Sequence, residues 1–130
     1  MFHLLGTVKY DLVNKLQKQI INLATFSTAF DPRQITVLLC EHNPVVTVGY
    51  SGSRSHIRLS AEQLRKQNLT TKWVNRGGGC LLHGKGQLGV YPIVPISTFA
   101  TSTKAIAQLL RDAVRSGLEE IDYQTTTYES

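Results

Sequence analysis

Two apolar runs separated by a short turn constrain the fold of this chain more than any other feature. Residues 35–40 read Ile-Thr-Val-Leu-Leu-Cys, and residues 45–48 read Val-Val-Thr-Val before Gly49. Apolar stretches rich in β-branched residues favour strands, and the Glu-His-Asn-Pro at 41–44 is typical of a turn. The pattern therefore predicts two strands in a hairpin-like arrangement, with Cys40 as a buried structural thiol.

Helices are predicted on both sides of these strands. Apolar residues recur at intervals of three and four between positions 11 and 24, which predicts an amphipathic helix. A serine and a glutamine three residues apart form a capping-box pattern, and they predict a short helix over 60–67. A third helix is predicted over 102–116, with Gly117 as its C-terminal stop.

Two further strands are predicted on either side of a glycine-rich segment. Residues 71–75 and 88–94 have strand-like patterns, and Pro92 in the second of them indicates an edge strand or a bulge. The order of these elements predicts an α+β domain, with helices packed against a largely antiparallel or mixed sheet. A chain of 130 residues has room for one domain, and no repeat or linker is apparent. We therefore predict a single domain over residues 1–130.

The composition is that of a globular chain, with 42% hydrophobic and 18% charged residues. The net charge of +5 suits an acidic partner, but the basic residues are scattered and form no run typical of a nucleic-acid tail. No apolar stretch approaches a membrane span, and no export leader is apparent. The two cysteines lack the spacing of a zinc site or a disulfide framework. We expect a cytoplasmic protein that binds no nucleic acid, membrane or metal; an organelle matrix would fit equally.

Residues 75–87, NRGGGCLLHGKGQ, concentrate the reactive side chains of the chain. From Gly79 to Lys85 the segment matches the start of a nucleotide-binding P-loop, G-x-x-x-x-G-K. A P-loop continues with Ser or Thr, which holds magnesium, and leads into a helix whose N-terminus faces the phosphates. Here Gly86 takes the Ser or Thr position and a predicted strand follows, so we do not expect nucleotide binding.

A second interpretation makes Cys80 a nucleophile, activated by His83 or Arg76. Residues three apart on an extended strand point to opposite faces, so only a tight turn would bring Cys80 and His83 together. We favour a small apolar cysteine that lines a pocket. A catalytic role for Cys80 stays open at this point.

A third interpretation is a loop that wraps an apolar ligand with a polar head. The glycines at 77–79 let the backbone approach a ligand closely, and Leu81 and Leu82 offer an apolar wall. Arg76 and His83 offer donors to an acyl carbonyl or a phosphate. This mixture suits an acyl thioester, while a His83 that serves only the fold stays an alternative.

Two motifs in this chain resemble those of one enzyme family. Residues 41–49 resemble the segment E-H-x-P-V-x-T-x-G, and residues 76–92 resemble R-G-G-x-x-x-x-H-G-x-G-Q-L-x-x-Y-P. Octanoyltransferases of lipoate biosynthesis carry both segments in this order and at a similar separation. The pair of motifs is a far more specific signal than either motif alone.

The resemblance implies the α/β fold of biotin and lipoate protein ligases, a mixed sheet with packed helices. It implies transfer of an octanoyl or lipoyl group from acyl carrier protein to a lysine of lipoyl domains, in 2-oxoacid dehydrogenases and in the glycine cleavage H protein. We expect no cofactor and no metal. It also places the acyl site along one stretch, so that the predicted substrate-binding residues are Arg76, Gly77, Gly78, Gly79, Cys80, Leu81, Leu82 and His83.

This chain departs from the family pattern at Gly79, Leu81, Leu82 and Lys85, where the family commonly has Gln, Thr, Tyr and Pro. The family's acyl-accepting cysteine and activating lysine lie after the helix predicted over 102–116, and the chain ends at a point before either. We therefore expect a C-terminally truncated domain, roughly the N-terminal two thirds, with no catalytic residue and low activity of its own. A noncatalytic binding module for acyl groups or their carrier, or an ATP-dependent lipoate or biotin ligase relative, remain alternatives.

Overall fold

The computed structural model describes residues 1–26, 31, 34–96 and 102–126. The chain divides into two compact units, Met1–Val94 and Pro95–Ser130. In chain order the elements are β1 (Phe2–Val8), α1 (Tyr10–Phe26), β2 (Thr36–His42), β3 (Val45–Val48), a short 3-10 helix (Arg54–His56), α2 (Ala61–Lys66), β4 (Thr70–Trp73), β5 (Cys80–His83), β6 (Gly89–Ile93) and α3 (Thr103–Glu119). Our prediction of a single domain stays a prediction.

The first sheet has the strand order β1-β2-β6, with β1 parallel and β6 antiparallel to the central β2. Its core is apolar: Val13 of α1 packs with Leu38 and Cys40 of β2, and all three are at most 2% exposed. The amphipathic pattern of α1 explains this packing, because its apolar face covers the sheet. Six partly buried residues surround the core: Leu5, Val8, Leu16, Ile20, Tyr91 and Ile93.

The second sheet has the strand order β4-β3-β5, with β4 parallel and β5 antiparallel to the central β3. Every residue of β3 is buried, including Thr47. The buried residue of α2 is Leu64, and Ser60 and Gln63 form the predicted capping box at its start. The fold class, α+β with a mixed arrangement of strands and packed helices, is confirmed.

The predicted hairpin is wrong, because β2 and β3 lie in different sheets. Each run forms the central strand of its own sheet and is buried at almost every position on both faces, which explains why apolar residues do not alternate with polar ones. The turn at Asn43 and Pro44 passes the chain from one sheet to the other. The predicted strand pair around the glycine-rich segment also divides, with β4 in the second sheet and β6 in the first.

Two strands were not predicted at all. β1 covers Phe2–Val8, and β5 covers Cys80–His83 in a segment that we predicted as a loop. β5 forms because the buried strand β3 needs a second edge partner, a requirement that local sequence does not show. The position of Pro92 is confirmed: among the described strands, β6 pairs with β2 alone and lies at the edge of the sheet.

In the second unit, α3 extends past the predicted stop and includes Gly117. Ser102 caps its start, accepting a hydrogen bond from the Ala105 amide at 3.1 Å. One glycine costs a helix about 1 kcal/mol, which is too little to end it. The residue in the left-handed conformation beyond the helix is Asp122, with φ of 59°. No described residue of α3 is buried.

None of the helices that the structure describes is both long enough and apolar enough to span a membrane.

Candidate functional site

A buried threonine joins the two polar side chains predicted to bind substrate. Thr47, in the central strand of the second sheet, is 0% exposed. Its Oγ1 accepts hydrogen bonds from Nε and Nη2 of Arg76, at 3.2 and 2.7 Å. The same oxygen lies 3.0 Å from Nε2 of His83. The structure therefore brings Arg76 and His83 together through a residue that our list of site residues missed.

Strand register explains how Thr47 reaches His83. In the antiparallel pair of β3 and β5, Val45 lies opposite His83 and Thr47 opposite Leu81. Side chains alternate between the two faces of a sheet, so Thr47 and His83 share a face as diagonal neighbours. Within the motif that contains it, Thr47 carried one available signal: it is a polar residue inside an otherwise all-valine strand.

Arg76 is fixed by neutral acceptors. Its Nη2 also donates to the backbone oxygen of Thr47 at 3.0 Å, and its Nη1 donates to the oxygen of Gly77 at 2.9 Å. None of the ion pairs between described residues involves Arg76. The guanidinium therefore brings a positive charge to the site that no described carboxylate neutralises.

The glycine-rich segment is attached to the chain that follows β3. Three backbone amides of residues 49–51 donate to its carbonyl groups. The pairs are Gly49 N to Gly79 O at 3.0 Å, Tyr50 N to Arg76 O at 3.1 Å and Ser51 N to Gly78 O at 3.2 Å. These carbonyl groups are therefore engaged within the protein.

This attachment requires glycine at position 49. A Cβ atom there would lie 2.5 Å from the oxygen of Gly78, 2.7 Å from that of Arg76 and 2.9 Å from that of Gly77. Backbone oxygens cannot move aside as the end of a flexible side chain can, so any side chain at 49 would separate the two segments. Gly78 itself has φ of 76°, a conformation that favours glycine.

His83 is neutral at neutral pH. Its side chain is buried, with 8% of the residue exposed. Burial is the main cause that lowers the pKa of His83 from 6.5 to about 4, and the charges of His42 and Arg76 contribute to the same decrease. An uncharged imidazole supplies one donor and one acceptor nitrogen.

An aromatic cluster lies against His83. The ring of Tyr10, at the start of α1, is 5.3 Å from both the His42 and the His83 rings, and these two rings are 5.4 Å apart and nearly perpendicular. Nδ1 of His42 donates to the oxygen of Val8 at 3.0 Å, and its Nε2 lies 2.6 Å from the hydroxyl of Tyr91. Burial raises the pKa of Tyr91, so its hydroxyl stays protonated and can donate. Our site prediction also missed Tyr10, His42 and Tyr91, of which only the last two lie in the motifs.

The structure does not bring Cys80 and His83 together. Cys80 is half-buried, and its Sγ lies 3.6 Å from the oxygen of Ser53, on the opposite face of β5 from His83. Leu81 and Leu82 are 44% and 55% exposed, one on each face. The segment Gly84–Leu88 leads into strand β6 and not into a helix, as expected for a segment that is not a P-loop.

A mixed pocket of about 380 Å³ adjoins β5. Its apolar lining comes from Leu69, Leu82 and Pro44, and its polar lining includes Lys85. The other lining residues are Gln67, His83, Gly84 and Gln87. Across the described ranges, no group of three or more His, Cys, Asp or Glu residues could hold a metal ion.

The fold and this site define a mixed α+β domain in which an arginine and a histidine of the glycine-rich segment meet on a threonine of the neighbouring strand. Residues 14–128 match the lipoyl protein ligase A/B catalytic domain family, and the chain belongs to that family. The resemblance found in the two motifs is confirmed.

Several relatives of this chain are named octanoyltransferase. The protein from Caldicellulosiruptor bescii is 36% identical over 108 residues, which cover 83% of this chain and 46% of the relative. That from Flavobacterium psychrophilum is 37% identical over 92 residues, 71% of this chain and 40% of the relative. That from Porphyromonas gingivalis is 27% identical over 110 residues, 84% of this chain and 22% of the relative. The chain thus spans less than half the length of each.

Among solved structures, the protein Ta0514 of T. acidophilum matches with a TM-score of 0.49 and 18% identity, over 70% of this chain and 36% of that one. The family assignment rests on the sequence match.

Proposed function

We propose that this chain contains the acyl-binding part of an octanoyltransferase, which moves an octanoyl or lipoyl group from acyl carrier protein to a lysine of a lipoyl domain. The observation that carries the proposal is the contact between the two family motifs. Arg76 and His83 of one motif meet on Thr47 of the other. Membership of the family and the names of the relatives support the same activity.

The chemistry of acyl transfer fits the polar groups of this site. Attack on a thioester carbonyl places negative charge on its oxygen, and donors fixed in advance stabilise that charge. Arg76 brings an unneutralised positive charge, and neutral His83 brings an N–H donor. We propose that the eight predicted residues from Arg76 to His83 form the substrate site, with Leu81, on the same face of β5 as His83, along the aliphatic chain and Cys80 without a catalytic role.

The proposed partners follow from the same reaction. The donor is octanoyl acyl carrier protein, and the acceptors are lipoyl domains of 2-oxoacid dehydrogenases and the glycine cleavage H protein. In the overall reaction the thioester C–S bond breaks, the carrier thiol leaves, and an amide forms on the acceptor lysine. The net charge of +5 is compatible with an acidic carrier. We propose the cytoplasm as the compartment.

The test is transfer by the protein isolated from its source. We expect a lipoyl domain incubated with octanoyl acyl carrier protein to gain the mass of one octanoyl group without ATP. Product formed only from free lipoate and ATP would overturn the proposal in favour of a ligase. Stable binding of the octanoyl carrier without product would overturn it in favour of a binding module.

A matched pair of variants tests the site itself. Arg76→Lys keeps the charge but cannot donate to both oxygens of Thr47 and to Gly77 at once. We expect it to lower kcat/KM for transfer by about 100-fold, the range seen when a donor to a developing oxyanion is lost. Arg65→Lys, on the exposed surface of α2, makes the same chemical change and should leave transfer unchanged. Equal rates for the two variants would show that Arg76 does not contribute to the transfer site.

A further inference from the structure

We propose that Thr47 is a positioning residue that fixes the tautomer of His83. Its hydroxyl donates to Nε2 of His83, so that the ring proton resides on Nδ1. The hydrogen-bond assignment stands on the geometry alone. The role of the Nδ1 proton as a donor to the substrate rests on the proposed function.

Counting donors and acceptors around Oγ1 of Thr47 gives the direction of each hydrogen bond. A guanidinium can only donate, and a hydroxyl has one hydrogen and two lone pairs. Nε and Nη2 of Arg76 approach Oγ1 at 3.2 and 2.7 Å, so they occupy the two lone pairs. The one hydrogen that remains must serve the contact of 3.0 Å to Nε2 of His83. Nε2 is therefore the acceptor, and it carries no proton.

Burial prevents this arrangement from relaxing. Thr47 is 0% exposed, so its hydroxyl has no solvent to turn toward. The backbone oxygen of Thr47 also accepts from Nη2 of Arg76 at 3.0 Å, which holds the guanidinium in place. Rotation of the hydroxyl would leave Nε2 of His83 without a donor inside the protein, and such losses are costly for buried groups. The hydrogen bonds therefore run in one direction, from Arg76 through Thr47 to His83.

Nδ1 of His83 then carries the only N–H of the ring. The described residues offer it no hydrogen-bond acceptor, although every buried side-chain nitrogen and oxygen among them has a partner. Since Nδ1 has no such partner, it is not one of the fully buried atoms, and it is accessible to a ligand. Because Nε2 is occupied, His83 acts in the proposed site as a hydrogen-bond donor to a substrate oxygen and not as a general base.

The tautomer can be read directly from ring ¹⁵N chemical shifts. In long-range ¹H–¹⁵N spectra of the 130-residue chain at neutral pH, we expect Nε2 of His83 at the shift of an unprotonated nitrogen and Nδ1 at that of a protonated one. This is the reverse of the tautomer that free neutral histidine prefers. The variant His83→Gln identifies which signals belong to this ring.

Two substitutions of similar shape separate the hydroxyl from the packing of the strand. Thr47→Ser keeps the donor and should retain the Nδ1–H tautomer. Thr47→Val removes it, and most of the His83 population should shift to the Nε2–H form. A protonated Nε2 in the wild type, or a Val variant with an unchanged tautomer, would overturn the proposal. If the Val variant does not fold, the wild-type and Ser spectra still decide the question.

The spectra do not depend on enzymatic activity, so the two proposals fail separately. If His83 has the Nδ1–H tautomer but the protein does not transfer octanoate, the assignment of Thr47 is supported and the proposed function is wrong. If the protein transfers octanoate but Nε2 of His83 is protonated, the proposed function is supported and the assignment of Thr47 is wrong.

Discussion

The two sheets of the first unit stabilise the chain by different means. The first is held by an apolar core of Val13, Leu38 and Cys40. The second places Thr47 at the centre of its middle strand and satisfies it with Arg76 and His83. Apolar packing is non-directional, whereas each hydrogen bond around Thr47 has a required direction and length. The second sheet therefore holds Arg76 and His83 in one fixed geometry around Thr47.

The spacing of the first motif follows from this division. His42 ends β2 in the first sheet, and its ring meets the hydroxyl of Tyr91 on β6 at 2.6 Å. Thr47, five positions later, lies in the second sheet and meets Arg76 and His83. The turn between the sheets thus lets residues 42–47 contact the second motif in two places, Tyr91 in the first sheet and Arg76 with His83 in the second. The two motifs therefore contact each other within the fold.

The largest effect should come from forcing apart the segments that join at the second sheet. In Gly49→Ala the new Cβ would lie 2.5 to 2.9 Å from three backbone oxygens. We expect the free energy of unfolding to fall by roughly 4 kcal/mol, as in severe overpacking. Gly77→Ala is the control, since nothing lies within 4 Å of a Cβ there. Urea denaturation measures both variants, and equal midpoints would show that the close approach at Gly49 is not required.

A cavity in the first sheet should be costly but should leave the site intact. Leu38 is 1% exposed, and Leu38→Ala should lower the free energy of unfolding by about 3 kcal/mol. Leu4→Ala is the control, because Leu4 is 83% exposed and its loss should cost little. The ring signals of His83 should keep their wild-type shifts in both variants. A changed His83 tautomer in Leu38→Ala would mean that the packing of the first sheet affects the hydrogen bonds of the second.

Acid should weaken the second sheet through His83. Its pKa is lowered from 6.5 in the unfolded chain to about 4 in the fold. Below pH 6.5 the unfolded chain binds a proton that the folded chain does not, so stability is full above 6.5 and is lost as the pH falls toward 4. We expect a loss on the order of 2 kcal/mol between these values.

The variant His83→Gln isolates that contribution from every other titrating group. Its urea midpoint should fall less than that of the wild type between pH 7 and about pH 4.5, because glutamine does not titrate. Parallel pH profiles for the two proteins would show that His83 does not have a lowered pKa.

The smallest effect should come from Cys80. Its Sγ lies on the face of β5 away from His83, and its polar contact is the oxygen of Ser53 at 3.6 Å. Cys80→Ser keeps a donor there, and we expect a change in stability under about 1 kcal/mol and unchanged octanoyl transfer. Loss of transfer, together with loss of an octanoyl adduct in the intact mass, would restore the nucleophile interpretation that the geometry argues against.

The sequence predicted elements whose causes are local. The periodicity of α1, the capping box of α2 and the edge position of Pro92 all depend on near neighbours, and all are confirmed. The pairing of β2 and β3 was wrong because a turn signal shows that the chain reverses and not which sheet it joins. β5 was missed because its partner lies more than thirty residues away in the chain.

The same distinction applies to the site. Arg76 and His83 could be selected by their chemistry and the glycines between them, and the structure places both on one oxygen. Thr47 offered a weaker signal: it is the polar residue of a valine strand, but threonine is β-branched and common in buried strands. Tyr10 carried no signal, because its contacts to His42 and His83 arise from how α1 packs. Only the folded chain shows which polar residues are mutually satisfied.

The most direct test is a titration of the ¹⁵N-labelled chain with S-octanoyl-pantetheine, followed by amide chemical shifts. We predict that the largest shifts lie at residues 76–83 and in the attached segment 49–51, and that Arg76→Lys abolishes them while Arg65→Lys does not. Shifts concentrated on β1 and α1, or no saturable shifts at all, would contradict the claim that the Arg76–Thr47–His83 site binds an octanoyl thioester.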